Sequence, residues 1–234
     1  MTADVQQAVP PVKVDSGNSL HMVGVMTGVG TICGLLIVVV YQLTLPAIQH
    51  NQATIVRESV FEVIPKAQSQ AILAVDDSGT LTQLESPEGT LPKLFAGYSH
   101  SGELLGVAIE GSGRGYADVI RVLYTYSPEK KAIIGFKVLD CRETPGLGDK
   151  IIADAAFQEN FKELDVKLNA AGDAPANAVV TVKHGTKALP WQIDAISGAT
   201  ISSKAVGRIL NDGARRFVPL IEKNLDMITK AGTK

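Results

Sequence analysis

Residues 22–45 read Met-Val-Gly-Val-Met-Thr-Gly-Val-Gly-Thr-Ile-Cys-Gly-Leu-Leu-Ile-Val-Val-Val-Tyr-Gln-Leu-Thr-Leu, and no Asp, Glu, Lys or Arg falls between Asp15 and Arg57. As a helix this run reaches about 36 Å at about 1.5 Å per residue, enough to cross the hydrocarbon core of a bilayer. A secretory leader is the rival reading. It would carry a basic n-region, a shorter apolar core and a small-residue cleavage site. Here the preceding segment carries Asp4, Lys13 and Asp15, and the core is long. The run therefore predicts an uncleaved membrane helix over residues 20–46, ended or kinked at Pro46. Gly24 and Gly28 stand four apart, as do Gly30 and Gly34. That spacing lets another helix approach closely, although glycine is frequent in membrane helices generally. Lys13 and Arg57 are the nearest Lys or Arg residues on the two sides, so charge barely orients the span.

Residues 1–19 are polar, contain Pro10-Pro11, and read as a loose tail. Between 47 and 65 the apolar residues Ile48, Ile55, Val56, Val60, Phe61 and Val63 recur at helical spacing, which predicts a stalk helix closing at Pro65. Residues 66–225 then form the soluble domain, and 226–234 a C-terminal tail. Strands are predicted at Ala71–Val75, Leu94–Tyr98, Leu104–Ile109, Asp118–Tyr126, Ala132–Leu139 and Ala178–Lys183. Turn signals at Asp77-Ser78-Gly79, Ser101-Gly102 and Ser127-Pro128-Glu129-Lys130 separate them, the last as a hairpin. Helices are predicted over Lys150–Leu164 and Ser202–Lys223, the latter with a core face of Val206, Ile209, Leu210, Phe217 and Ile221. The fold class is α+β: a mainly antiparallel twisted sheet flanked by helices, preceded by one N-terminal transmembrane helix.

Net charge is −2, with Lys and Arg in mixed sign with Asp and Glu. No basic stripe is available for nucleic-acid phosphates. Cys33 and Cys141 lie in segments of different character, so a disulfide between them is not expected, and no Cys-x-x-Cys pair exists for a cluster or zinc site. His21, His50, His100 and His184 lack ligand spacing. No metal site is predicted.

Two strings carry chemistry. Asp194-Ala195-Ile196-Ser197-Gly198-Ala199-Thr200 precedes an amphipathic helix; read alone it is a turn followed by candidate caps. Arg142-Glu143-Thr144-Pro145-Gly146-Leu147-Gly148-Asp149-Lys150 follows a strand and demands a loop; read alone it is a strand-to-helix connection. The first string resembles, at every fixed position, the motif at which a flavin transferase attaches FMN to a threonine hydroxyl. Together the two resemble the FMN-binding subunits of two membrane redox complexes: the G subunit of Rnf-type complexes and the C subunit of Na+-translocating NADH:quinone reductases. The Gly-Leu-Gly-Asp-Lys ending looks more like the Rnf form, and the resemblance runs roughly from Met22 to Ile221.

The resemblance implies FMN joined by a phosphoester to Thr200, with Ser197, Gly198 and Ala199 around it. It implies that Asp194 serves the modifying enzyme. A helix N-terminus suits the phosphate, since its unpaired N–H groups and dipole favour an anion. In the loop, Glu143, Thr144, Gly146 and Leu147 are expected to contact the flavin, with Gly146 and Gly148 permitting close backbone approach; Glu143 has a second reading as a solvent-facing acid. In the turn Gly113-Arg114-Gly115-Tyr116, Tyr116 either stacks near the ring or packs in the core. Arg142 pairs with the phosphate or faces water. Trp191 walls the pocket or anchors the fold. Cys141-Arg142 stands where relatives often have histidine. No residue is assigned acid–base catalysis, because the protein's task would be to hold and tune the flavin.

As a whole, the resemblance implies a membrane-anchored electron carrier. Its complex would pass electrons between ferredoxin and NAD and move Na+ or H+. The partners implied are other membrane subunits, a flavin transferase and the lipid bilayer, with the soluble domain on the periplasmic side of a bacterial inner membrane. The alternatives are a C-type protein of the quinone reductase, a stand-alone flavoprotein, or an adaptor that is never modified.

Overall fold

The computed structural model describes residues 19–76, 78–84 and 91–233. The predicted N-terminal tail, apart from Ser19, and Asp77 of the first turn lie outside the described residues. The chain divides into two compact units, Met1–Gln49 and His50–Lys234.

In the first unit the described residues are helical. They belong to α1, Ser19–Val63, which contains Pro46 rather than ending there. Of the two outcomes expected at Pro46, an end or a kink, the end is not found, and the missing N–H of Pro46 leaves one backbone carbonyl without its usual donor. Leu20, Met26, Ile37 and Leu43 are exposed, and an 18-residue window has mean hydropathy 2.4 with nothing buried. Thr31 donates to the Thr27 carbonyl at 2.8 Å and Thr44 to that of Val40 at 2.9 Å, so these hydroxyls need no partner outside the helix. This is one helix long and apolar enough to cross a membrane, by length and composition.

The second unit begins with the last turns of α1, where Val56, Ser59, Val60 and Val63 are buried on one stripe. A seven-stranded sheet follows: β1 Ser69–Val75, β2 Leu81–Leu84, β3 Lys93–Tyr98, β4 Leu104–Arg114, β5 Val119–Ser127, β6 Ala132–Cys141 and β7 Leu164–Asp165. Its order is β2-β1-β3-β4-β5-β6-β7, and every neighbouring pair is antiparallel. Side chains alternate between its faces. Ile72, Phe95, Ala108 and Leu123 pack with Val56, Val60, Val63 and Ile64 of the helix end and the turn after it. Leu73, Leu94, Ile109 and Tyr124 face the other way, in one cluster with Val206, Leu210, Ala214 and Ile221. Those last four belong to α4, Thr200–Lys223. The helix end fits closely: Thr125 Oγ1 donates to the Val63 carbonyl at 3.0 Å, and a Cβ on Gly135 would collide with that oxygen.

Between β6 and α4 the structure departs from expectation. The helix predicted over Lys150–Leu164 is two short ones, α2 Lys150–Ala153 and α3 Ala155–Glu159. Asp154 breaks it: its backbone is extended, and its carboxylate caps α3 by accepting from Phe157 N at 2.8 Å. The strand predicted at Ala178–Lys183 shortens to β8, Val180–Val182, and pairs in parallel with β9, Gln192–Asp194, in a separate two-stranded sheet. The predicted C-terminal tail, 226–234, is helical as far as Thr233. The helix α5, Leu225–Lys230, and a 3-10 turn, Ala231–Thr233, follow α4, and the buried Tyr98 hydroxyl donates to the Ile228 carbonyl at 2.5 Å.

Candidate functional site

The acceptor string leaves β9 at Asp194 and enters α4 at Thr200. The Ala199 amide donates to the Ile196 carbonyl at 3.1 Å, closing a turn in which Gly198 has φ +84°. A side chain there would be strained, although the space around it is open among the described residues. Below the turn the fully buried Ser203 fixes it, its Oγ accepting from Ile196 N at 3.1 Å and donating to the Ala199 carbonyl at 2.9 Å. Ser197, Gly198 and Thr200 are exposed, and Ala199 is buried. Thr200 is the first residue of a 24-residue helix whose N-cap, Ala199, offers no side-chain cap. The first N–H groups of α4 and the Thr200 hydroxyl thus stand together at a surface with no side chain of the cap to neutralise them. That donor set fits an anionic phosphate ester.

The loop string reaches the same helix through Glu143. Only 6% exposed, Glu143 accepts from Ser202 Oγ at 2.5 Å with Oε2, and from the amides of Ala117 at 3.0 Å and Asp118 at 3.4 Å with Oε1. Burial pushes its carboxyl up, but the hydrogen bonds from Ser202 and from the backbone of the 116–118 turn outweigh that and hold it below its ordinary value. Two glycines make the room. A Cβ on Gly115 would collide with Oε1, and one on Gly148 would collide with Oε2 and lie 2.7 Å from Ser202 Oγ. This corrects one expectation. The Glu143 carboxylate is turned onto the protein's own donors, so it is not a solvent-facing acid. Gly148 makes room for that carboxylate.

One carboxylate therefore ties together three segments: the loop, the β4–β5 turn and the first turn of α4. Each carries an exposed apolar side chain beside the tie, namely Leu147 at 50% exposure, Tyr116 at 65% and Ile201 at 51%. Tyr116 is thereby excluded from the core. Ile201 carries no signal in the sequence, because an apolar residue opening an amphipathic helix looks like ordinary core. Thr144, Gly146 and Arg142 are exposed; the Thr144 carbonyl accepts from Leu147 N at 3.1 Å, and Gly146 has φ +77°. Asp149 Oδ1 is buried without a hydrogen-bond partner among the described residues, an acceptor at the base of this loop. Half-buried Cys141 has its thiol pushed up by burial, with the Glu143, Asp149 and Asp140 charges adding to the effect. Trp191 is half-buried next to β9.

Beside the acceptor turn a pocket of about 230 Å³ is lined by Lys150, Asp154 and His184 together with Asp194–Ser197. The last residue of the loop string and the first four of the acceptor string therefore meet in one cavity. The carboxylate of Asp194 turns toward the turn that follows β8: Oδ1 accepts from Gly185 N at 2.7 Å and Oδ2 lies 3.5 Å from His184 Nδ1.

Comparison with known proteins fits this arrangement. The FMN-binding domain family matches residues 115–215, from the glycine under Glu143 to the middle of α4. The G subunit of the ion-translocating oxidoreductase complex of Methanosarcina acetivorans is 30% identical over 195 residues, covering 82% of this chain and 90% of the relative. The G subunit of the Na+-translocating ferredoxin:NAD+ oxidoreductase complex of Acetobacterium woodii is 34% identical over 149 residues, 62% of this chain and 65% of the relative. Among solved structures, NqrC of Shewanella oneidensis superposes with a TM-score of 0.51 at 20% identity, covering 74% of this chain and 88% of that one. The C subunit of the Na+-translocating NADH-quinone reductase of Parabacteroides distasonis superposes at 0.55 and 21%, covering 70% and 81%. These two establish the likeness of fold. The match to the Methanosarcina protein extends over nine-tenths of its length, so the chain belongs to the family of G subunits of ion-translocating oxidoreductase complexes.

Proposed function

We propose that this chain is a membrane-anchored electron carrier bearing FMN as a phosphoester on Thr200, working as the flavin subunit of an Rnf-type complex. The observation that carries the reading is the exposed Thr200 hydroxyl opening an uncapped α4, in a chain of the G-subunit family. For attachment, a flavin transferase joins Thr200 Oγ1 to the FMN-side phosphorus of a flavin dinucleotide. The pyrophosphate P–O bond breaks, the nucleoside monophosphate leaves, and the hydroxyl proton passes to a base of the transferase.

When bound, FMN supplies one- and two-electron redox chemistry. The chain's own residues do the rest. The α4 N-terminus holds the phosphate through backbone N–H groups. Leu147, Tyr116 and Ile201 offer apolar surface for the ring, Thr144 a hydroxyl, and Gly146 an exposed backbone. Glu143 keeps their three segments in register. In the complex, electrons pass between ferredoxin and NAD while Na+ or H+ crosses the membrane. The other subunits bind those substrates, and the soluble domain lies on the extracytoplasmic side of a bacterial inner membrane.

The test is peptide mass mapping after co-expression with a flavin transferase. The adduct is expected on Thr200 and lost in Thr200→Ala, with folding intact. Flavin on Ser197, Ser202 or Ser203, or an unmodified chain, would overturn the reading.

A further inference from the structure

Asp194, the first residue of the acceptor string, is held from three directions. On one side of β9 the Trp191 carbonyl accepts from Val180 N at 3.3 Å and the Ala195 amide donates to the Val182 carbonyl at 3.1 Å, the bonds of the parallel ladder. The peptide groups of Asp194 face the opposite way, where no third strand lies among the described residues. Asn160 stands there instead. Its Oδ1 accepts from Asp194 N at 2.9 Å and its Nδ2 donates to the Asp194 carbonyl at 3.3 Å and to that of Phe157 at 3.0 Å. At 4% exposure, this amide gives β9 the donor and acceptor that a further strand would give.

The third tie is the Asp194 carboxylate. Its Oδ1 accepts from Gly185 N, in the turn after β8 closed by the Thr186 amide on the Lys183 carbonyl at 3.0 Å. Gly185 has φ +76°, so this amide is presented from a backbone that L side chains rarely adopt. His184 Nδ1 lies 3.0 Å from the Ala195 carbonyl, one residue further along the string.

We propose that Asn160 and Asp194 are positioning residues for flavin attachment. They set the backbone from which Ser197–Thr200 project, and Asp194 acts through the Gly185 amide rather than by offering its charge to the modifying enzyme. This rests on Thr200 being the acceptor.

The experiment follows flavin attachment to the full chain in detergent, with purified transferase and flavin dinucleotide, by in-gel fluorescence. Asp194→Ala and Asn160→Ala are expected to slow attachment about tenfold, the factor for one to two lost hydrogen bonds. Asp194→Asn keeps an oxygen for Gly185 and is expected to stay within about twofold of the parent. If Asn160→Ala does not fold, Asn160→Asp, which keeps the acceptor and loses the donor, carries the same expectation. Asp194→Asn as slow as Asp194→Ala would show that the charge itself is needed, and the proposal would be wrong. Attachment at the parental rate in the folded Asn160 variant would also overturn it.

Hydrogen exchange on the unmodified chain gives a readout without flavin. The amides of Ala195, Ile196 and Ala199 should lose protection in the Asn160 variant and keep it in Asp194→Asn. Unchanged protection in the Asn160 variant overturns the proposal. A parent chain that takes no flavin on Thr200 instead removes the attachment reading, while the exchange data still decide whether Asn160 sets this loop.

Discussion

Replacing Glu143 by Gln tests whether its ionised carboxylate binds the three segments of the site. The amide keeps the shape and keeps an oxygen for the Ala117 and Asp118 amides, and its NH2 group faces Ser202 Oγ, which can turn to accept. What is lost is the charge. A hydrogen bond to a charged group contributes about 1.5–3 kcal/mol against about 0.5–1.5 for a neutral one. Three such bonds give a gross loss of about 3 kcal/mol, part of which returns because a neutral amide costs less to bury than a carboxylate. The net destabilisation at neutral pH should be about 1–2 kcal/mol.

The pH dependence is sharper than the magnitude. The folded-state pKa of Glu143 is depressed below its ordinary 4.5. Its contribution is therefore complete above the unfolded value and disappears as pH falls through the folded one. Gln does not titrate, and every other carboxylate titrates in both proteins. The stability difference between parent and variant should be full above about pH 5 and close toward zero below the depressed folded pKa. Urea titrations of the full chain in detergent, followed by fluorescence of the sole tryptophan, Trp191, at a series of pH values, measure this difference. A gap that stays constant, or widens as pH falls, would refute the account.

Gly148→Ala should destabilise the chain by about 1–3 kcal/mol, because its Cβ meets Glu143 and Ser202 and overpacking at a rigid contact costs that much; thermal unfolding measures it. Tyr124 has a fully buried hydroxyl with no hydrogen-bond partner among the described residues. Tyr124→Phe is therefore expected to be neutral or to stabilise by up to about 1 kcal/mol, which denaturant midpoints would show. A Cβ on Gly213 would collide with that hydroxyl, so Gly213→Ala should be destabilising alone and partly rescued in the Tyr124→Phe background; full additivity of the two changes would contradict the contact. Leu147→Ala should shift the potential of the bound flavin in a redox titration while leaving the Thr200 adduct and the unfolding temperature nearly unchanged, since Leu147 is half exposed.

What the sequence reveals follows from how far apart the interacting residues lie. The strands at Leu94–Tyr98 and Ala132–Leu139 are legible because alternation and turn signals are local, and both are present in the sheet. The short strands β2, β7 and β9, of four, two and three residues, carry too few positions for any period to register. The break at Asp154 is written locally as an N-cap signal, but the apolar run across it looks continuous. At the site, the strings around Thr200 and Glu143 are legible as strings. The role of Glu143 is not, since its partners Ala117, Asp118 and Ser202 lie 26, 25 and 59 positions away. Asn160 lies 34 positions from Asp194 and sits in no motif, so only the folded chain connects them.

The close seat of the Val63 carbonyl under Thr125 and over Gly135 bears on how freely such chains can exchange their N-terminal apolar helices. The stretch Val56–Ile64 covers Ile72, Phe95, Ala108 and Leu123, and therefore belongs by its packing with the sheet rather than with the apolar run before it. A graft of a foreign membrane segment, by recombination or at the bench, has a natural joint near His50, where the compact units divide. A joint placed after Val63 would strip one face of the sheet. The modular boundary of the flavin domain thus falls inside a single helix, several turns before the first strand.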